Sequence, residues 1–565
     1  TFSSSSPDIE HQSTTKQRLQ EKYIFANMIK DMVTNSIFSK KNNVISFVVA
    51  MLFLIGSPIV TAYSSTSGIT IQKKPHQQHD EDDSIVKSVP WLIVGGGIHG
   101  VHIAARLIGN ANIPPSDICI VDENDHLLQK WKSRTKSTGM EYLRSSAGYH
   151  LDLEEHSLRH RFSSNSKNKK QRKSTNANAF FSKDYERPRL DIFNQHCDTI
   201  IDKYQLHTLH TRGQVVSIHP SEQFVGVTVS LSSSNHGNAS CDDDVVCYNA
   251  GKVILALGND DPSYAAWVSE EDVEQGLVRH LLDDDNNQHD YHEPFSFQNT
   301  NENFYNSDSN SISVAVVGGG ITAAHKVLEL IQCAKHQNQN TTQKKKIANI
   351  HLISRHPLKE QQFDTHQDWM MDKAACKRSE KAGGSGIPQR QRDFAMSSSW
   401  KERRKIIAKE RVPGTVTPAV NRGKNGLVYA IENGDVQWHH AEIVDKTYLD
   451  SSKEGGSATT GHTRCRLKLT LSTGKVIEVD EVLLATGFGK KLPGRGLIQR
   501  DLVEKAGLEV SDFCGFPIVN DHLQWHSRIF VAGALAELEL GPSARNIAGA
   551  RLAAERILQS INGKN

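Results

Sequence analysis

Two glycine-rich runs carry the most specific chemistry in the chain: IVGGGIHGV, Ile93 to Val101, and VVGGGITAA, Val316 to Ala324. In the first, Gly95, Gly97 and Gly100 satisfy G-x-G-x-x-G, with Gly96 inside the turn. The first glycine of that pattern permits a tight turn, the second lets a pyrophosphate approach the backbone, and the third lets helix and strand pack closely. A helix that starts there points unpaired N–H groups and a partial positive charge at the phosphates. Asp122 follows at the end of ICIVDEN, where its carboxylate can accept from ribose hydroxyls. In the second run, Gly318, Gly320 and Ala323 give G-x-G-x-x-A, and the matching strand ends in Ser354-Arg355 instead of an acid. A carboxylate repels a 2′-phosphate, whereas a guanidinium binds one bidentately. The first turn therefore suits FAD and the second NADPH. The bland alternatives are a glycine turn used only for packing and an ordinary surface arginine at a strand end.

The elements that must hold these turns are readable beside them. WLIVGGGIHGVHIAARLIG reads as a buried strand, a turn and a helix with apolar periodicity, and ICIVDEN as the next strand. Strand, helix, strand is the parallel crossover unit. SVAVVGGGITAAHKVLELI followed by IHLISR repeats it. Two more buried strands run into glycine: KVILALGN, with Gly258, and DEVLLATGF, with Thr486 and Gly487. RIFVAGAL precedes a last helix, SARNIAGARLAAERILQSI. The expected fold class is α/β with two Rossmann-like dinucleotide-binding domains. Polar tracts at 163–179, about 283–311, 335–346 and 376–402 lack the apolar side chains for a core and read as surface loops.

A chain of 565 residues is too long for one compact core. Its net charge of +2, with no basic stripe interleaved with aromatics, gives no footprint for nucleic acid. Eight cysteines include no C-x-x-C, so neither a zinc site nor the dithiol of a flavin disulfide reductase is expected; Cys241 and Cys247 are the one close pair. No metal is expected. Near the amino end, Lys40-Lys41 precedes an apolar stretch at 44–60, followed by small residues at 60–62. It reads as a cleaved signal segment (1–62) or a retained membrane anchor, directing the chain to the secretory pathway or an organelle, with a buried helix as the third alternative and 63–87 a disordered linker.

With these motifs in order, the chain resembles the two-dinucleotide-binding flavoproteins, and among them the N-hydroxylating ornithine and lysine monooxygenases and uncharacterised FAD/NAD(P)-binding relatives. The resemblance rests on GGGIHG, YERPRLDIF, VILALGNDDP, GGGITAA, ISR, the D-x3-L-A-T-G-F string at Asp480 to Phe488, and RIFVAGALAELELGPSARNIAGAR. It implies a discontinuous FAD domain (88–311 and 441–565) with the NAD(P)H domain (312–440) inserted. It also implies that Gly533 and the helix start near Ser543 to Asn546 lie beside the isoalloxazine. Arg144 and His150, in MEYLRSSAGYHLD, become candidates for the flavin or substrate face, against an ordinary loop with a hydrogen-bonded histidine. Trp131 packs either near the flavin or in the core. The chain departs from the resemblance in lacking F-x-G-x-x-x-H before the second turn and in carrying Thr322 where serine is usual. The implied reaction uses NADPH to reduce FAD and O₂ to oxygenate N or S of a small molecule; no residue is assigned as catalytic. The rival expectations are an NADPH-flavin oxidase or reductase that oxygenates nothing, and a non-enzymatic flavoprotein-like regulator.

Overall fold

The computed structural model describes residues 86–163, 180–182, 185–231, 245–259, 261–283, 311–339, 346–371, 373–384, 386–450, 465–561 and 563. The apolar stretch 44–60, the linker to residue 85, Cys241 and most of the tracts 163–179 and 283–311 lie outside these residues. Among the described residues no helix is long and apolar enough to cross a membrane.

From the amino side, β1 (Val86–Val94), α1 (Ile98–Ala111) and β2 (Ile118–Asp122) form the first crossover. Then come β3 (His210–Arg212), the antiparallel pair β4 (Gln214–Pro220) and β5 (Val225–Ser230), and β6 (Val245–Leu255). The second crossover is β8 (Ser311–Val317), α2 (Ile321–Gln339) and β9 (Lys346–Ser354), preceded by β7 (Val278–His280). A short ribbon, β10 (Lys359–Glu360) with β11 (Thr415–Val416), encloses helix α3 (Trp400–Glu410). There follow β12 (Gln437–His440), the antiparallel β13 (Ile443–Asp450), β14 (Cys465–Leu471) and β15 (Val476–Val479), and β16 (Glu481–Leu484). The chain closes with β17 (Gln524–His526), β18 (Ile529–Val531) and α4 (Ile547–Ile561).

The two larger sheets share one plan. The first runs β17-β18-β6-β1-β2-β3 and the second β7-β16-β8-β9-β12, so each has a five-strand parallel core with the glycine-bearing strand in the middle. Parallel strands covered on both faces read as continuous apolar runs, and Leu92, Ile93, Val314, Ala315 and Val316 have no solvent exposure. Alternation divides the second sheet's side chains between two cores. Val314, Val316 and Leu352 pack with Ala323, Ala324 and Val327 of α2; Ala315, Ile353 and Leu484 pack with Leu467, Leu469 and Val479 of the antiparallel sheet.

This plan moves the expected domain edges. β7 and β16 pair within the second sheet although they lie outside 312–440, and the described residues of β13, β14 and β15 pack against that sheet before the chain returns to the first. The reason is geometric: a crossover alone leaves one side of its first strand unpaired, and β16 fills that side for β8 as β6 does for β1. The tract 376–402 also departs from a plain loop. It holds most of one helix, Lys373–Lys381, all of another, Gln389–Met396, and the start of α3, with Cys376 and Phe394 buried.

Candidate active site

The first turn is built by close approach. Gly95 N donates to Val121 O at 2.8 Å, and a Cβ on Gly95, whose φ is +109°, would strike Ala256 O of the neighbouring strand. A Cβ on Gly100 would strike Gly95 O, so the helix can start this close only with glycine there. Gly97 faces open space, with nothing within 4 Å of an added Cβ, and lines a cavity of about 960 Å³. That volume lies at the upper end for small-molecule sites, and an open backbone at a helix N-terminus is what a dinucleotide phosphate requires.

Asp122 lines the same cavity, but its carboxylate is already engaged. It accepts from Gly96 N at 2.6 Å and from Asn124 N and Nδ2 at 2.9 and 2.7 Å. A carboxylate has about four acceptor positions, so one remains for a ribose hydroxyl. Gly258, with φ +80°, lines the cavity too.

The remaining wall comes from several distant segments: Trp131, Arg134 and Arg144; Phe363, Asp364 and Phe488; and Arg545 and Asn546 at the start of α4. The first turn of α2 reaches it through Ile321, Thr322 and His325. The helix starts of both glycine units therefore meet at one cavity.

Two of its histidines were not singled out by motif. His99, in GGGIHG, donates from Nε2 to Ala544 O at 3.0 Å and ties the first helix to the closing segment; burial lowers its pKa to about 4. His325 is also lowered to about 4, by burial and then by Arg187. Both rings are neutral at physiological pH.

Several expected contacts fall elsewhere. His150 is fully buried and outside the cavity, donating to Glu155 O at 3.0 Å and accepting from Asp152 N at 3.2 Å. Burial pushes it to about 3, so the ordinary-loop reading describes it. Arg144 does line the cavity, yet its Nε donates to Gln362 O and its Nη2 to Gln361 O and Thr415 Oγ1, at 2.7–2.8 Å. It fastens the β10–β11 ribbon. Trp131 serves both expectations, lining the cavity while packing on Phe193 and donating to Asn194. Ser543 is buried with its hydroxyl on Trp369 O at 2.7 Å; Asn546 instead faces the cavity. Gly533, with φ +65°, packs behind His99.

Thr486 and Gly487 follow β16 and belong to the second unit. Thr486 donates to Ser263 O and accepts from His280 Nε2, and Gly487 O accepts from Ser263 N at 2.9 Å. Together they join the two segments that cross between the sheets, and Phe488 carries that junction to the cavity.

The second turn copies the first at its base. Gly318 N donates to Ile353 O at 2.9 Å, and a Cβ on Gly318, φ +150°, would press on Ala485 O, the counterpart of Ala256. Ala323, buried in α2, stands where the first turn needs Gly100. An added Cβ on Gly96 would lie 3.2 Å from Asp122 Cβ, and one on Gly319 3.3 Å from Ser354 Cβ. Ser354 is thus the counterpart of Asp122, and Arg355 is the next residue, exposed. One difference is large: Gly320, the counterpart of Gly97, faces Gly414 Cα at 3.2 Å from an added Cβ. Among the described residues, no group of three or more His, Cys, Asp or Glu could hold a metal ion.

No family model matches the chain, and no curated protein does. Solved structures do. Ornithine hydroxylase PvdA from Pseudomonas aeruginosa aligns at TM-score 0.55 and 14% identity, over 84% of this chain and 99% of its own. Kutzneria sp. 744 ornithine N-hydroxylase KtzI, with reduced FAD, NADP⁺ and L-ornithine, aligns at 0.54 and 16%, over 84% and 99%. DfoA, the FAD-bound cadaverine monooxygenase of Erwinia amylovora, aligns at 0.53 and 14%, over 85% and 95%. At such identities the likeness concerns architecture, and the chain has the two-dinucleotide-domain α/β fold of these N-hydroxylating flavin monooxygenases.

Proposed function

We propose that the protein is an FAD-dependent, NADPH-driven monooxygenase that transfers one oxygen atom of O₂ to a nitrogen or sulfur of a small molecule. The observation that carries this reading is the single cavity at which the helix starts of two unlike glycine units converge. In the balanced reaction NADPH gives a hydride, a proton is taken up, one oxygen atom enters the substrate and the other leaves as water. Bound flavin would supply the redox chemistry. Gly95 to Gly97 and the start of α1 would hold its phosphates, Asp122 its ribose, and Asn546 and the N-terminus of α4 would face its ring. The neutral rings of His99 and His325 add no charge beside it.

The test is direct. Purified protein should be yellow, and anaerobic NADPH should bleach the flavin band at about 450 nm. Admitting oxygen should restore the band, and product should form in step with NADPH consumed once a nucleophilic amine or thioether is supplied. Protein without flavin would refute the reading. Stoichiometric peroxide with every such substrate would favour an oxidase. The cover of Gly414 over Gly320 favours a second reading, a flavoprotein that does not use NADPH, and failure of the bleaching step would select it. Residues 1–62 are proposed as the targeting segment; a reporter carrying them that stays diffuse in the cytosol would remove that proposal.

A further inference from the structure

The end of the second unit where a dinucleotide's adenosine ribose lies is built from two strands, and only one belongs to the glycine motif. β12 runs beside β9 in parallel register, Trp438 opposite Leu352 and His440 opposite Ser354. Paired positions share a face, and the contacts agree. Trp438 Nε1 donates to Ser354 Oγ at 2.9 Å, and Ser354 Oγ donates to His356 O at 3.0 Å. A hydroxyl has one hydrogen, so Ser354 has no donor left for a phosphate. It anchors the indole instead, and the indole stacks on His440 with centroids 6.1 Å apart and planes 15° apart. His440 is exposed at the strand end, as is Arg355. Among the described residues neither side chain has an ion-pair or hydrogen-bond partner, and neither 353–359 nor 437–441 contains a carboxylate.

The first unit makes the contrast. At the same register Asp122 lies opposite Arg212, and Arg212 is paired with Asp125 at 2.7 Å. There the position is acidic and its cation neutralised. In the second unit the acid is absent and two nitrogen donors are left uncommitted.

We propose that His440 is a specificity-determining residue of the donor site, binding the 2′-phosphate of a phosphorylated adenine dinucleotide together with Arg355. Trp438 and Ser354 are positioning residues that hold its ring. This rests on reading the second turn as the hydride-donor site. It concerns the Ser354 end of that site, beside Gly319, and not the Gly320 end that Gly414 covers.

The experiment is calorimetric titration of the flavin-loaded protein with 2′,5′-ADP and with 5′-AMP. Wild type should prefer 2′,5′-ADP. His440→Ala should weaken 2′,5′-ADP about tenfold, the scale of one charged hydrogen bond, and leave 5′-AMP unchanged. His440→Arg should restore the preference, which a purely structural role would not allow, and Trp438→Phe should reduce it less than His440→Ala. Should His440→Ala keep the full preference while Arg355→Ala loses it, the inference fails and the donor site stands. A wild type with no preference overturns the phosphorylated-donor reading itself.

Discussion

Gly100 and Ala323 hold the same place in the two turns and test how tightly each is built. At Gly100 a methyl group would meet a backbone oxygen that cannot rotate away, so Gly100→Ala should cost about 3 kcal/mol through overpacking. Ala323→Gly should cost about 1 kcal/mol, mostly helix propensity. Urea unfolding of both variants checks the contrast, and equal losses would contradict it. The buried histidines make a second residue-scale prediction. His99, His280 and His325 sit at about 4, against an ordinary 6.5, with burial the main cause in each. Their folded values are depressed, so between pH 6.5 and 4 the unfolded chain binds more protons than the folded one. Stability should therefore be complete above pH 6.5 and fall as pH drops through that window. Each neutral histidine contributes a slope of about 1.4 kcal/mol per pH unit. His280→Asn should flatten the curve of unfolding free energy against pH, and a variant with the wild-type slope would contradict this.

At the scale of elements, α3 meets the closing segment of the first sheet at a buried carboxylate, Glu537, with Arg403 and Glu539 as a second pair beside it. Glu537 has no solvent exposure and meets Arg404, Arg411 (3.0 Å) and Arg545 (2.7 Å); burial opposes its charge, yet the three guanidiniums hold its pKa at about 2. Removing the charge leaves three cations facing one another, so Glu537→Gln should destabilise by about 3–5 kcal/mol. Arg404→Met, which leaves two partners, should cost less; the reverse order in denaturant titrations would contradict the clasp. Such pairings were invisible in the sequence, since Arg404 and Glu537 lie 133 positions apart and neither sits in a periodic motif. The glycine turns were visible because their requirement is local: strand, turn, helix and strand end fall within about 30 residues. Asp122 was found the same way, though not its bond to Gly96. The ribbon held by Arg144, the cover of Gly414 and the recruitment of β7 and β16 depend on contacts between distant segments, which spacing does not encode.

On the scale of the molecule, the cavity couples the two sheets. Its wall takes His99 and Gly258 from the first unit, Thr322 and His325 from α2, Asp364 from the ribbon segment and Phe488 from the junction after β16. A ligand that fills it touches both glycine units, and the described residues from 86 on form one compact unit. Binding to the folded state alone stabilises it by about 2.7 kcal/mol when free ligand is a hundredfold above Kd. That stabilisation should reach both sheets at once. With the proposed flavin as that ligand, stripping it and adding it back should move one calorimetric transition down and up as a whole. Hydrogen exchange should slow in β8 and β9 as well as in β1 and β2, although only β1 and β2 flank the glycine turn proposed for the flavin. Two transitions, one of them indifferent to flavin, would mean that the second unit folds alone and that the shared cavity carries no coupling.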